Sequence, residues 1–185
     1  DTLRGEIPKI GRGLLDAARS AWGMDAVRTE PPATCGIAFK EWAGVRDALI
    51  QGRQIIVLRK GGILENPAGF QPEHSVFWIY PTHVHEAEQG LKPGERASVP
   101  HDAATVARID TLALVESFRK IHDLDEVLAL DDAHVWTEDT IRKRFEYRKP
   151  GLWLMVLRIL KRREPYSVPI RPEDAGCKTW VPLER

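Results

Sequence analysis

Gln54–Ile63 (QIIVLRKGGI) and Ser75–His85 (SVFWIYPTHVH) are two short apolar runs, and each ends in a polar cluster. Ile55-Ile56-Val57-Leu58 is rich in β-branched side chains between polar flanks, and Val76–Tyr80 is stopped by Pro81, so both read as strands. Arg59 and Lys60 leave the first strand at a Gly61-Gly62 turn, where missing side chains let an anion approach the backbone N–H groups. Trp78, Tyr80, Thr82, His83 and His85 run along and just past the second. Trp78 and Tyr80 share one face of that strand, with Phe77 and Ile79 on the other. One face must be core. If the Trp78 face is open, its rings are placed to stack on bases; otherwise both are core. Cations, aromatics and hydrogen-bonding groups at strand ends suit a planar, anionic ligand such as a nucleotide. They support a binding site better than a reaction.

On either side of these runs the elements are less regular. Ile10–Met24 places Leu14, Leu15, Ala18 and Trp22 on one helical face before Thr29-Glu30-Pro31-Pro32 breaks the pattern. Residues 1–34 therefore read as an accessory helix and linker, and residues 35–185 as a single domain. Phe39–Leu49 (FKEWAGVRDAL) predicts an amphipathic helix with Trp42, Val45 and Leu49 inward. Residues 64–74 and 86–101 are rich in Pro and Gly and read as loops. Thr105–Ile121 predicts a long or bent strand, or two, and Asp123–Leu130 a short helix. Thr137 is an N-cap candidate, with Glu138 and Asp139 favoured by the helix dipole. Leu152–Leu160 (LWLMVLRIL) is nearly all apolar, the mark of a central strand. Glu164–Pro172 reads as a Pro-punctuated tail and Lys178–Val181 as the last strand. Several strands, few helices and irregular linkers predict an α+β fold with a small, strongly curved sheet or barrel and flanking helices. Regular β-α-β alternation, which a doubly wound sheet requires, is missing.

The 185 residues carry 27 basic and 27 acidic side chains, with 43% hydrophobic and 29% charged residues, the composition of an ordinary globular domain. No apolar run approaches the roughly 20 residues of a membrane helix. The start, DTLRGEIPKIGRGLL, lacks the layout of a secretory signal, and a reducing cytoplasm is the expected setting for Cys35 and Cys177. The charge is unevenly placed. Asp123–Asp139 holds seven acids and no Lys or Arg, whereas Thr140–Arg163 holds nine bases against Glu146 alone. Such blocks either pair with each other or, clustered on one face, form a phosphate-binding footprint. Arg144, Tyr147 and Arg148 fall on one helical side, so two guanidinium forks flank a ring. Arg142, Lys143 and Lys149 add phosphate-holding charge. His83 and His85 make only half a metal site, and a hydrogen-bonding role is expected of them instead; no metal or cofactor is implied.

FKEW (39–42), ALIQGRQIIVLRKGGI (48–63), YPTHVHE (80–86), RFEYR (144–148) and GCKTWV (176–181) together resemble the bacterial and archaeal family called domain of unknown function 1802. Glu86 stands where that family usually has glutamine. Some members are fused to, or sit beside, Mrr-type restriction endonuclease domains, which implies a role near DNA with a nuclease domain or subunit as partner. The order of elements is more distantly similar to the PUA-like barrels, including ASCH, EVE and YTH domains, whose concave pocket commonly accepts a flipped or modified base. The resemblance thus implies a non-catalytic nucleic-acid-binding module, the part of a restriction or defence system that recognises a modified base. The alternatives are a metal-dependent nuclease or nucleotide hydrolase using Glu41, Glu65 or Glu86 with Lys60 and His85, and a protein-interaction domain docking through residues 1–34.

Overall fold

A computed structural model describes residues 30–60, 74–83, 90–97, 105–174 and 178–183. The expected helix at 10–24, the Gly61-Gly62 turn, Glu65, His85, Glu86 and Cys177 lie outside them. In chain order the elements are β1 (Ile37–Trp42), α1 (Ala43–Ile50), β2 (Ile56–Arg59), β3 (Val76–Thr82), β4 (Val106–Ile121), α2 (Leu124–Leu128), α3 (Glu138–Glu146), β5 (Leu152–Pro169) and β6 (Trp180–Pro182), with short 3-10 turns at Asp131–Ala133 and Pro172–Asp174. The strands form one six-stranded sheet in the order β2-β5-β4-β3-β1-β6. β1 and β3 run parallel, and the other neighbours are antiparallel.

The sheet curls back on itself. β2 and β1 stand first and fifth in the order, yet the Arg59 guanidinium on β2 lies 4.7 Å from the Phe39 ring centroid on β1. Its Nη1 is 3.4 Å from Oε2 of Glu41, also on β1. The α+β class and the strongly curved sheet agree with the sequence.

Curling gives the central strands two buried faces. Phe77 and Ile79 join the larger core with Phe39, Ile56, Leu154 and Trp136. Trp78 and Tyr80 join a second cluster with Ile109, Leu112, Leu114 and Val181. A strand buried on both sides reads as a continuous apolar run, as Val76–Tyr80 does.

Two elements depart from expectation, the start of α1 and the end of β5, while β4 is the long, irregular strand expected of Thr105–Ile121. Phe39–Trp42, expected to be helical, is strand: Phe39 is the register partner of Ile79 and Trp42 of Thr82, and the helix starts at Ala43. β4 is a single strand whose register shifts between Ile109 and Thr111 and between Val115 and Ser117. β5 runs through the expected tail to Pro169.

α3 positions the functional region and is held at both ends. The Thr137 side chain accepts from the Thr140 N–H as N-cap. The Gly90 carbonyl accepts from the N–H of Thr137 at 2.8 Å and from the hydroxyls of Thr137 and Thr140, each at 3.0 Å. At the other end the Lys60 ammonium donates to the carbonyls of Phe145 (2.5 Å), Lys149 and Gly151 (3.0 Å). A cation on these last carbonyls satisfies acceptors that the helix leaves open and suits its dipole.

A candidate nucleic-acid interface

The expected site residues divide into three groups. Arg59, Lys60, Arg144, Tyr147, Arg148 and Lys149 come together where β2 meets the C-terminal end of α3. Arg144 sits with its guanidinium 4.7 Å from the Trp42 ring centroid and 4.8 Å from that of Trp136, and its Nη1 reaches the Leu58 carbonyl at 3.5 Å. Burial lowers its pKa to about 10; Glu41 works against that shift and Arg59 with it. Glu41 is only 2% exposed, and its Oε1 accepts from the Trp42 N–H at 3.0 Å. Burial, and next the charge of Lys120, lower the Lys60 pKa. The repulsions between Lys60 and Lys120, and between Arg59 and Arg144, are what a bound anion would relieve.

The turn that follows α3 lies open. Tyr147 is 56% exposed, and the Arg148 guanidinium is 5.1 Å from its ring centroid. Arg148 takes φ 61°, a left-handed conformation uncommon for side chains other than Gly. Lys149 is exposed beside it.

A second group is engaged within α3. Arg142 pairs with Glu138 at 2.7 Å and Lys143 with Asp139 at 2.6 Å, one helical turn away. These exposed pairs contribute roughly 0.3–0.5 kcal/mol each, so an anion could displace them at little cost.

The third group lies on β3. Trp78 is buried, donates from Nε1 to the Cys35 carbonyl at 2.9 Å, and packs edge-on against Tyr166. Tyr80 is buried with the Lys40 ammonium 5.9 Å from its ring centroid. The Trp78 face is therefore core. Thr82 is half-buried beside Trp42, and His83 follows it.

The structure adds residues that sequence spacing did not pick out. Trp153 on β5 is the register partner of Arg59 on β2 and of Lys120 on β4, which places cation, indole and cation in one row across three strands. Phe118 stacks on Trp153, with centroids 4.7 Å apart and planes 5° from parallel, and the Lys120 ammonium is 5.5 Å from the Trp153 centroid. Phe118 and Trp153 are half-buried and Lys120 is exposed. Among the described residues, no group of three His, Cys, Asp or Glu is placed to hold a metal ion. No helix among them is long and apolar enough to cross a membrane.

The family model described as "Domain of unknown function (DUF1802)" matches residues 38–185. The curated proteins provide no match. Among solved structures the chain is similar to the crystal structure of ASCH from Zymomonas mobilis, with 14% identity and a TM-score of 0.46 over 80% of this chain and 87% of that one. Two point mutants of the same protein give TM-scores of 0.45 and 0.44, at 14% and 13% identity, over 80% of this chain and 88% and 90% of theirs.

Proposed function

The chain belongs to the family described as domain of unknown function (DUF1802), and we propose that it is a nucleic-acid-binding module whose contact surface is the corner around Trp153. The observation that carries this reading is the row Arg59–Trp153–Lys120, with Phe118 stacked on the indole. An aromatic plane beside the exposed cation of Lys120 matches a base beside a phosphate, while Arg59 on the other side holds buried Glu41. Tyr147, Arg148 and Lys149 extend the surface onto the open turn, and Arg142 and Lys143 exchange their carboxylate partners for phosphate. Lys60 and Arg144 act beneath the surface. Lys60 fixes the turn through three carbonyls, and Arg144 adds positive potential from between Trp42 and Trp136.

In the finer reading, a base is selected in this corner, with Thr82 and His83 supplying hydrogen bonds from the end of β3, and the module serves as the DNA-recognition part of a restriction or defence system. Trp78 and Tyr80 belong to the second core cluster and do not stack on the base. A hydrolytic role for Glu41 gains no support, because one oxygen accepts from the Trp42 N–H and the other faces Arg59. Fluorescence anisotropy with short DNA and RNA, single-stranded and duplex, over a range of salt tests the proposal. Binding that weakens with salt and is reduced in Trp153→Ala and Arg148→Ala supports it. Absence of binding at low salt refutes it.

A further inference from the structure

The β4–β5 ladder extends beyond the rest of the sheet. β3 pairs only with residues 112–114 of β4, and β2 only with residues 153–156 of β5. Among the described residues, 106–111 and 161–169 thus pair with each other alone, as a two-stranded arm. At its base Thr111 faces Lys161 while Ile109 faces Tyr166, so Arg162–Pro165 loops out opposite Asp110. This excursion accommodates Pro165, which could not donate to a regular ladder.

The excursion fixes one guanidinium. Arg162 donates from Nε to the Glu164 carbonyl at 3.0 Å and from Nη1 to the Tyr166 hydroxyl at 2.7 Å. Its charged plane lies 3.9 Å from the Tyr166 ring centroid. Tyr166 is 48% exposed and is backed edge-on by buried Trp78, with centroids 5.8 Å apart and planes at 90°. The remaining N–H groups of Arg162 have no partner among the described residues. Lys161 and Arg163 are exposed on either side, with no ion pair among those residues. A guanidinium already held in place loses little freedom on binding, and its fork suits phosphate oxygens.

We propose that this arm is a second nucleic-acid contact. The Arg162–Tyr166 stack receives a phosphate and the adjoining unpaired base, and Lys161 and Arg163 take the neighbouring phosphates. The inference rests on the nucleic-acid reading above but uses none of the residues around Trp153. A lipid surface fits less well, because an interfacial contact buries aliphatic side chains and Lys161–Ser167 contains no Leu, Ile, Val or Phe.

Native mass spectrometry of the chain with a single-stranded tetranucleotide tests it. The oligonucleotide spans roughly 14 Å when stacked, at about 3.4 Å per nucleotide. Along β5 the two sites lie on the order of 30 Å apart, at about 3.3 Å per residue. Wild type is expected to bind two equivalents. Arg162→Gln and the double variant Lys161→Gln/Arg163→Gln, which keeps the stack, should each bind one, and Trp153→Ala should also bind one. A wild type that binds one equivalent, unchanged in both arm variants, overturns this inference and leaves the Trp153 reading standing. If the arm variants lose an equivalent and Trp153→Ala does not, the arm stands and the Trp153 reading falls. No binding by wild type overturns both. Unchanged stoichiometry in arm variants that lose binding to phosphatidylserine vesicles assigns the arm to a lipid surface and overturns the proposal.

Discussion

Lys120 on β4 faces Trp153 on β5 across the ladder, its ammonium 5.5 Å from the indole centroid. An exposed cation–π contact of this kind is worth about 0.5–1 kcal/mol. A base stacked on an aromatic ring gains about 1–3 kcal/mol. On the proposed function, a base would displace the ammonium, which would then neutralise a phosphate. Trp153→Ala should weaken single-strand binding roughly 5- to 150-fold, at about 1.4 kcal/mol per factor of ten. Trp153→Phe should retain most of the affinity. Trp78→Ala makes a poor comparison, because removing a buried aromatic costs about 3–5 kcal/mol of stability wherever the ligand binds. Anisotropy titrations on variants of matched melting temperature measure the effect.

Salt separates the open cations from the engaged ones. Each phosphate neutralised by the chain contributes about −0.7 to the slope of log K against log salt for a single strand. Arg148→Ala should make that slope shallower by about this amount, since Arg148 is exposed on the turn. Arg142→Ala should change it less, because Arg142 must first leave Glu138. Titrations at four or five salt concentrations give both slopes.

Lys60→Met tests the hold on α3. The substitution removes the donor to three carbonyls at the helix end. A loss on the order of 1 kcal/mol in urea unfolding is expected, since the Phe145 carbonyl keeps the Gly151 N–H at 3.1 Å and the Lys149 carbonyl is open to water. Backbone amides of residues 141–151 should exchange faster with deuterium, while those of β3 stay protected.

His134 makes the fold sensitive to acid. It is 3% exposed, and neither ring nitrogen has a hydrogen-bond partner among the described residues. Burial first, and then the charges of Lys92 and Arg144, lower its pKa from 6.5 to about 4, and the charge of Asp131 opposes the shift. The unfolded imidazole binds a proton below pH 6.5, and the buried one does so only near pH 4. Between those values the unfolded state holds more protons, so stability falls as pH drops and levels off below about 4. The loss is on the order of 3 kcal/mol. Urea unfolding at neutral pH and near pH 4.5 should show it, and His134→Leu should flatten that part of the curve.

The strand signals were local and could be read directly. β-branched residues at Ile55–Leu58 and the apolar run Leu152–Leu160 fall in β2 and β5, and Thr137 caps α3. Phe39–Trp42 misled because Trp42, Val45 and Leu49 recur at helical spacing, which drew the helix back over the preceding strand. The actual constraint on Phe39–Trp42 is parallel pairing with β3, which no local pattern carries. The burial of Trp78 and Tyr80 followed from the curl, which supplies a second core beneath β3. The row of Arg59, Trp153 and Lys120 depends on the register of three strands distant in the chain, so spacing alone could not reveal it. Tyr166 was hidden by Pro165, which reads as a break and instead sits in an excursion of the ladder.

Photo-crosslinking of a bromouracil-substituted single strand, followed by peptide mapping, asks directly whether a base rests on Trp153. The platform predicts a crosslink in the peptide containing Trp153, lost in Trp153→Ala and suppressed by salt. A bound strand that crosslinks elsewhere and spares both Trp153 and Phe118 would contradict it.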